Sequence, residues 1–137
     1  MRFGVAAVIE CLALLPLPLW IVALLARRRR GEPIAALVRA TLFAVLVSFV
    51  LAHVNRWFDV WKSHPYFPSG HETFASCMGA AVVVADRRYV GLCAVLLATL
   101  GYALVRAGWH GRFEVIAGFL LGTATLATVQ VIIDKAG

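Results

Sequence analysis

The sequence predicts an all-α protein, a polytopic membrane bundle of about five transmembrane helices. Of its 137 residues, 62% are hydrophobic, and the mean hydropathy is +0.87, whereas a soluble domain is nearer half apolar. Apolar stretches of about 17 or more residues recur, each long enough or nearly so to cross a hydrocarbon core of roughly 30 Å. They lack the two-residue alternation of barrel strands, so helices are expected. The predicted spans are residues 3–26, 34–54, 67–85, 89–105 and 113–133.

The first apolar stretch is predicted to remain in the protein as a membrane span. It follows a lone Arg2, it is longer than the apolar region of a signal peptide, and no small-x-small cleavage site precedes Arg27. The connections between spans are short, and we find no internal repeat, linker or low-complexity segment. One domain is therefore predicted, covering residues 1–137.

The positions of the charges predict the orientation in the membrane. Although the net charge is +6, the arginines at 27–30 and at 87–88 lie between apolar spans, which favours a membrane protein over a nucleic-acid partner. Short arginine-rich loops stay on the cytoplasmic side, so the N-terminus and the loops at 55–66 and 106–112 should face outward. That outer face still carries four cations, Arg56, Lys62, Arg106 and Arg112. An anionic substrate would account for them.

Small residues predict which spans pack centrally. Ala75, Ser76, Gly79 and Ala80 form small-xxx-small pairs in the third span, and the fifth contains Gly118-Phe-Leu-Leu-Gly122. Small residues let helices approach closely in lipid, although the same pattern is compatible with a homo-oligomer. The three cysteines lie within apolar spans without metal-type spacing, so buried free thiols and no cofactor are predicted.

Two polar clusters stand where apolar spans begin or end. In Pro68-Ser69-Gly70-His71, Ser69 is a good N-cap and Gly70 permits close backbone approach. A helix that begins there points amides and its positive dipole end outward, which favours anion binding with His71 in the first turn. The alternative is an ordinary helix cap with an interfacial histidine.

The second cluster contains Arg106, His110 and Glu114. Residues 110 and 114 are four apart, so on a helix they share a face and can hydrogen-bond. A carboxylate that accepts from one imidazole nitrogen leaves the other to attack or abstract a proton, and an arginine matches phosphate oxygens. The alternative is an interfacial ion pair of Glu114 with Arg112 or Arg106. Together, the clusters predict metal-independent phosphate chemistry, which depends on positioning and charge stabilisation.

These residues resemble the type 2 phosphatidic acid phosphatases, which share a core with vanadium haloperoxidases. The central motif of that family, Pro-Ser-Gly-His, is matched without change by residues 68–71. The family's last motif is Ser-Arg, five residues, His, three residues, Asp. Here Val105 replaces the serine, three residues separate Arg106 from His110, and Glu114 replaces the aspartate.

The family's first motif, Lys, six residues, Arg-Pro, is degenerate in this chain. Arg56 is followed after seven residues by His64-Pro65, with Lys62 nearby. The resemblance covers roughly residues 56–122 and implies a core of six helices, whereas five spans are predicted here.

The resemblance also implies residue roles. His110 would be the nucleophile that forms a phosphohistidine, Glu114 its orienting partner, and His71 the acid to the leaving alkoxide. The implied phosphate-binding residues are Ser69, Gly70 and Arg106. Arg56 and Lys62 would stand in for the cations of the first motif, and Arg112 would compensate for the shortened loop of the last motif. Glu10, His53 and His64 are assigned no role.

The sequence therefore predicts a membrane lipid phosphatase of a bacterial-type inner membrane, with its site facing the periplasm or cell exterior. Candidate substrates are undecaprenyl diphosphate, phosphatidic acid and phosphatidylglycerol phosphate, with a weak preference for the diphosphate. The alternatives are a lipid-phosphate binding or transport protein without catalysis, and a structural subunit.

Overall fold

The computed structural model describes residues 2–58 and 67–136. For residues 2, 3, 55, 56 and 136 only the backbone is described. Within these ranges all regular structure is helical, as predicted, and four stretches are long and apolar enough to cross a membrane. The helices are α1 (Arg2–Leu14), α2 (Pro16–Arg29), α3 (Ala35–Phe58), α4 (Gly70–Ala85), α5 (Val90–Arg106) and α6 (Arg112–Ala136), with a 3₁₀ turn at Arg87–Tyr89.

The predicted first span forms two helices, α1 and α2, rather than one. Proline at 16 has no backbone N–H to donate, and a second proline follows at 18, so the hydrogen-bond ladder is interrupted there. Leu15 between them keeps helical angles, with φ −54° and ψ −35°. Together α1 and α2 still form one apolar stretch, Gly4–Arg29, of 26 residues.

Helix α4 is shorter than the predicted third span and lies at the centre of the bundle. It begins three residues late, at Gly70, because Ser69 caps it. Its 16 residues rise about 24 Å, less than a hydrocarbon core of roughly 30 Å. It packs against all five other helices, and most of its residues are buried. The prediction that this span is central is confirmed.

Helix α6 packs directly against α4 through the predicted GxxxG. A Cβ at Gly118 would lie 2.6 Å from the carbonyl oxygen of Ser69, and one at Gly122 would overlap the carbonyl oxygen of Thr73. The Ser76 hydroxyl donates to the carbonyl of Gly118 across the contact, at 3.3 Å. The two glycines therefore set the backbone separation that brings the start of α6 beside the start of α4.

The outward faces of the bundle are apolar, and one end carries an arginine cluster. Large side chains such as Val95, Tyr102 and Phe113 are exposed on the outside, as expected for a surface in contact with lipid. At the end opposite to the start of α4, Asp86 pairs with Arg88 at 2.7 Å and with Arg30 at 3.2 Å. The hydrogen bond from Arg88 is the main reason that the pKa of Asp86 lies well below its usual range.

Candidate active site

The start of α4 is fixed by Ser69, which is completely buried. Its hydroxyl accepts a hydrogen bond from the backbone N–H of Glu72, at 3.4 Å, and its own N–H donates to the carbonyl of Glu114, at 2.9 Å. The first helical bond runs from the Thr73 N–H to the Ser69 carbonyl, at 2.9 Å. Ser69 is thus an N-cap, as predicted, and it also ties α4 to the first turn of α6.

His110 and Glu114 are hydrogen-bonded, but not on one helix. His110 lies in the loop before α6, and its Nδ1 is 3.0 Å from Oε2 of Glu114. Since a carboxylate only accepts, the imidazole nitrogen donates. The same Oε2 accepts from the Gly111 N–H at 2.9 Å, as an acidic residue at the third position of a helix does in a capping box. The expected pairing therefore arises from helix capping rather than from a shared helical face.

The fold brings together His71, which lies on α4, and His110, which lies in the loop between α5 and α6. Their ring centroids are 6.2 Å apart and the ring planes are inclined by 63°. A near-attack contact is roughly 3–3.5 Å long, and a hydrogen bond roughly 2.6–3.2 Å. The two rings are therefore close enough for both to reach one phosphoryl group, one by attack on phosphorus and the other by donation to an oxygen bonded to it. Trp109 packs beside His71, with ring centroids 5.7 Å apart.

Burial lowers the pKa of His110, whose side chain is only 11% exposed. Desolvation is the main effect and lowers its pKa from the ordinary 6.5. The nearby His71 lowers the pKa further, whereas the hydrogen bond and the charge of Glu114 raise it. The net lowering of the pKa favours the neutral form of His110, which is the form that can attack phosphorus.

Arg106 and Arg112, two of the predicted phosphate-binding residues, line a groove between α5 and α6. The groove has a volume of about 610 Å³ and largely apolar walls formed by residues such as Leu97 and Phe119. Neither His71 nor His110 is among its lining residues. Both arginines are exposed, at the ends of the two helices that flank the histidine loop.

Two further predicted residues cannot be placed. Lys62 lies outside the described residues, as does His64, and for Arg56 the side chain lies outside them. The roles of Arg56 and Lys62 as phosphate ligands therefore stay predictions. In the part of the chain that is described, no group of three or more His, Cys, Asp or Glu side chains is arranged to hold a metal ion.

Two carboxyl groups at the site were not assigned a role from the sequence. Glu10 of α1 lies 3.1 Å from Nε2 of His71. Glu72 is 2% exposed, and its Oε2 has no hydrogen-bond partner among the described residues; it faces Gly101 of α5 and lines the groove. Both could be singled out in the sequence as carboxylates within apolar spans. A charged side chain at membrane depth is energetically costly and is rarely kept without a function.

Residues 48–137, about two thirds of the chain, match the family model of the PAP2 superfamily. The chain belongs to the PAP2 superfamily. The resemblance found in the motifs is thereby confirmed, and the superfamily indicates a phosphatase-type protein. No match was found among curated proteins or solved structures. The PAP2 match begins near the middle of α3 and contains both histidines, whereas α1 and α2 lie outside it.

Proposed function

We propose that the protein is a lipid phosphate phosphatase that works through a phosphohistidine at His110 and without a metal. The observation that carries the proposal is the pair of neighbouring imidazoles, His71 and His110, with Glu114 hydrogen-bonded to the Nδ1 of His110. A neutral His110 and a second histidine within reach of the same phosphoryl group are the two groups that an in-line transfer needs.

In the proposed first step, Nε2 of His110 attacks phosphorus and the bond from phosphorus to the leaving oxygen breaks. Protonated His71 gives its proton to that oxygen, and Glu114 holds the His110 ring by its Nδ1–H. In the second step, neutral His71 takes a proton from water, whose oxygen attacks the phosphohistidine. Phosphate leaves, the P–N bond breaks, and His110 and protonated His71 are restored.

Cations and helix amides supply charge stabilisation in this proposal. The amides of Gly70 and His71 stand at the start of α4, ahead of its first intrahelical hydrogen bond, where an anion is favoured. Arg106, Arg112, Arg56 and Lys62 are the cations assigned to the phosphate and to its approach. Positioning and charge neutralisation account for most phosphoryl-transfer catalysis, and in this proposal these residues supply both.

The groove between α5 and α6 favours a lipid as the substrate. Its walls are apolar along the helices, and its cations, Arg106 and Arg112, stand where those helices meet the histidine loop. An acyl or isoprenoid tail fits such walls, and a phosphate or diphosphate fits the cationic end. Undecaprenyl diphosphate, phosphatidic acid and phosphatidylglycerol phosphate remain the candidates, with the site facing outward from an inner membrane.

The test is phosphate release by the purified protein in detergent from a panel of these lipids. We expect wild-type release from at least one lipid and a loss of about 10³-fold or more in His110→Ala, because the nucleophile is removed. Thr99→Ala is the matched control, since Thr99 is exposed on α5 and its hydroxyl donates within its own helix, to the carbonyl of Val95. Equal release by His110→Ala and wild type would overturn the mechanism. Tight binding of a lipid phosphate without release by either would support the binding protein instead.

A further inference from the structure

The first helix reaches the candidate site through the side chain of Glu10. Oε1 of Glu10, on α1, lies 3.1 Å from Nε2 of His71, on α4, and the two residues are 61 positions apart in the sequence. Helix α1 lies outside the residues that match the PAP2 superfamily. The contact is therefore a feature of this chain that the family motifs do not contain.

The docking of α1 does not require this contact. Ile9 and Ala13 of α1 are buried and pack with Ala75, Leu100 and Leu104 in one apolar cluster. Apolar packing of this kind holds helices together in lipid, whereas an exposed ion pair contributes little. The Glu10 side chain is 56% exposed, so a carboxylate in an apolar helix needs another explanation.

We infer that Glu10 is a positioning residue for His71, an inference that rests on the proposed function. A carboxylate only accepts, so Nε2 of His71 carries the hydrogen in this contact. The bond fixes the orientation of the ring and assigns proton exchange to the opposite nitrogen, Nδ1. Nδ1 then gives the proton to the leaving oxygen in the first step and takes one from water in the second.

Each of the two site histidines, His71 and His110, is thus hydrogen-bonded to its own carboxylate. Glu114 lies 3.0 Å from Nδ1 of His110 and comes from α6, within the family match. Glu10 lies at nearly the same distance from His71 but comes from α1. The arrangement extends the site to a second carboxylate–imidazole pair, and the helix that brings the carboxylate is one that the PAP2 motifs do not include.

The decisive experiment compares two leaving groups once wild type has shown phosphate release. A short-chain alkyl phosphate has a poor leaving group that needs the acid, whereas its nitrophenyl counterpart has a good one that does not. We expect Glu10→Gln to lower kcat for the alkyl ester by on the order of 10–100-fold with KM within about twofold, less than the roughly 10²–10⁴-fold of full acid–base catalysis. The burst of nitrophenolate, which reports the first step alone, should change by less than about threefold.

Two further variants separate positioning from a structural effect. In a His71→Ala background, Glu10→Gln should cause no additional loss, because residues that act as a unit are not additive. Glu10→Asp should recover part of the rate. Glu32→Gln is the matched control, since it removes an exposed carboxylate that pairs with Arg30 at the arginine end of the bundle.

A spectroscopic readout tests the inference without turnover. In protein labelled with ¹⁵N-histidine, the signals absent from His71→Ala identify His71. We expect them to report hydrogen on Nε2 in the neutral ring of wild type and a mixture of tautomers in Glu10→Gln.

The outcomes are distinct. If wild type and His110→Ala behave as proposed but Glu10→Gln matches wild type on the alkyl ester, only this inference falls. Equal losses of activity caused by Glu10→Gln on both substrates, and in both the wild-type and the His71→Ala background, would show a structural role for Glu10. That result would also overturn the inference. If wild type releases phosphate from no lipid, the proposed function fails and the inference fails with it.

Discussion

At the scale of single residues, Glu114 combines two tasks at the start of α6. Its Oε2 accepts from the Gly111 N–H, which caps the helix, and from Nδ1 of His110, which orients the ring. Its backbone carbonyl also accepts from the N–H of Ser69. The side chain that fixes the proposed nucleophile is therefore itself fixed by the helix terminus, which reduces the freedom of the His110 ring.

The pH dependence of the reaction follows from the titration of His110. Only the neutral ring attacks, so kcat/KM should fall as the pH falls through the His110 pKa, which burial places below the ordinary 6.5. Glu114 raises this pKa, so Glu114→Gln should move the acid limb of the profile to lower pH. The rate at neutral pH should fall on the order of 10²-fold, because the ring is less well held. A pH–rate profile of both proteins measures these effects.

An amide at position 114 still offers an oxygen to the Gly111 N–H, so the helix cap should survive the substitution. Asp134→Asn is the control, since Asp134 is an exposed acidic residue at the far end of the same helix. An acid limb that stays in place or moves to higher pH in Glu114→Gln would contradict the assignment of His110.

At the scale of elements, the short α4 is the one around which the site is organised. It contacts every other helix, and its capped start lies beside the first turn of α6. Helix α1 begins eight residues before Glu10, a rise of about 12 Å. The His71–Glu10 contact therefore lies roughly two helical turns from the N-terminal end of α1.

The close contact between α4 and α6 predicts that one methyl group added at Gly122 destabilises the protein. A Cβ at Gly122 would overlap the Thr73 carbonyl and the Ser76 hydroxyl, so Gly122→Ala should push the helices apart. We expect a loss of about 1–3 kcal/mol of stability, as for overpacking generally, and reduced activity because Ser69 and Glu114 separate. Thermal unfolding in detergent measures the first effect and phosphate release the second.

Gly91→Ala is the matched control for that change. Gly91 is also a helical glycine, on α5, but a Cβ there would meet nothing within 4 Å. Alanine at such a site should be neutral or stabilise by roughly 0.5–1 kcal/mol. Equal melting temperatures for Gly122→Ala and Gly91→Ala would show that the close approach of α4 and α6 is not what the glycines provide.

The sequence predicts the elements well and the contacts between them only in part. Apolar length and the Ser69 cap give the helices, and the small residues give the central position of α4. Glu10 and His71 are 61 positions apart, and their meeting depends on the rotation and tilt of α1 against α4. No periodicity within either helix contains that information, so the pair is visible only in the assembled bundle.

At the scale of the whole molecule, the two ends of the bundle carry different polar groups. One end carries the arginines at 27–30 and 87–88, joined by Asp86, which pairs with Arg30 and Arg88. The other end carries His71, His110 and Glu114. Because arginine-rich short loops stay in the cytoplasm, this polarity should orient the candidate site outward, where an exterior lipid phosphate would enter.

The orientation is tested by labelling single cysteines in spheroplasts with a membrane-impermeant maleimide. The three native cysteines are first replaced by alanine, and one cysteine is then introduced at Gly111 or at Arg29, both exposed. We expect Gly111→Cys to react in intact spheroplasts and Arg29→Cys only after the membrane is opened. A melting temperature of the Gly111→Cys protein in detergent equal to that of the cysteine-free parent serves as the control that the fold is retained. The reverse labelling pattern would place the histidines in the cytoplasm, and the substrate would then have to come from the inner leaflet.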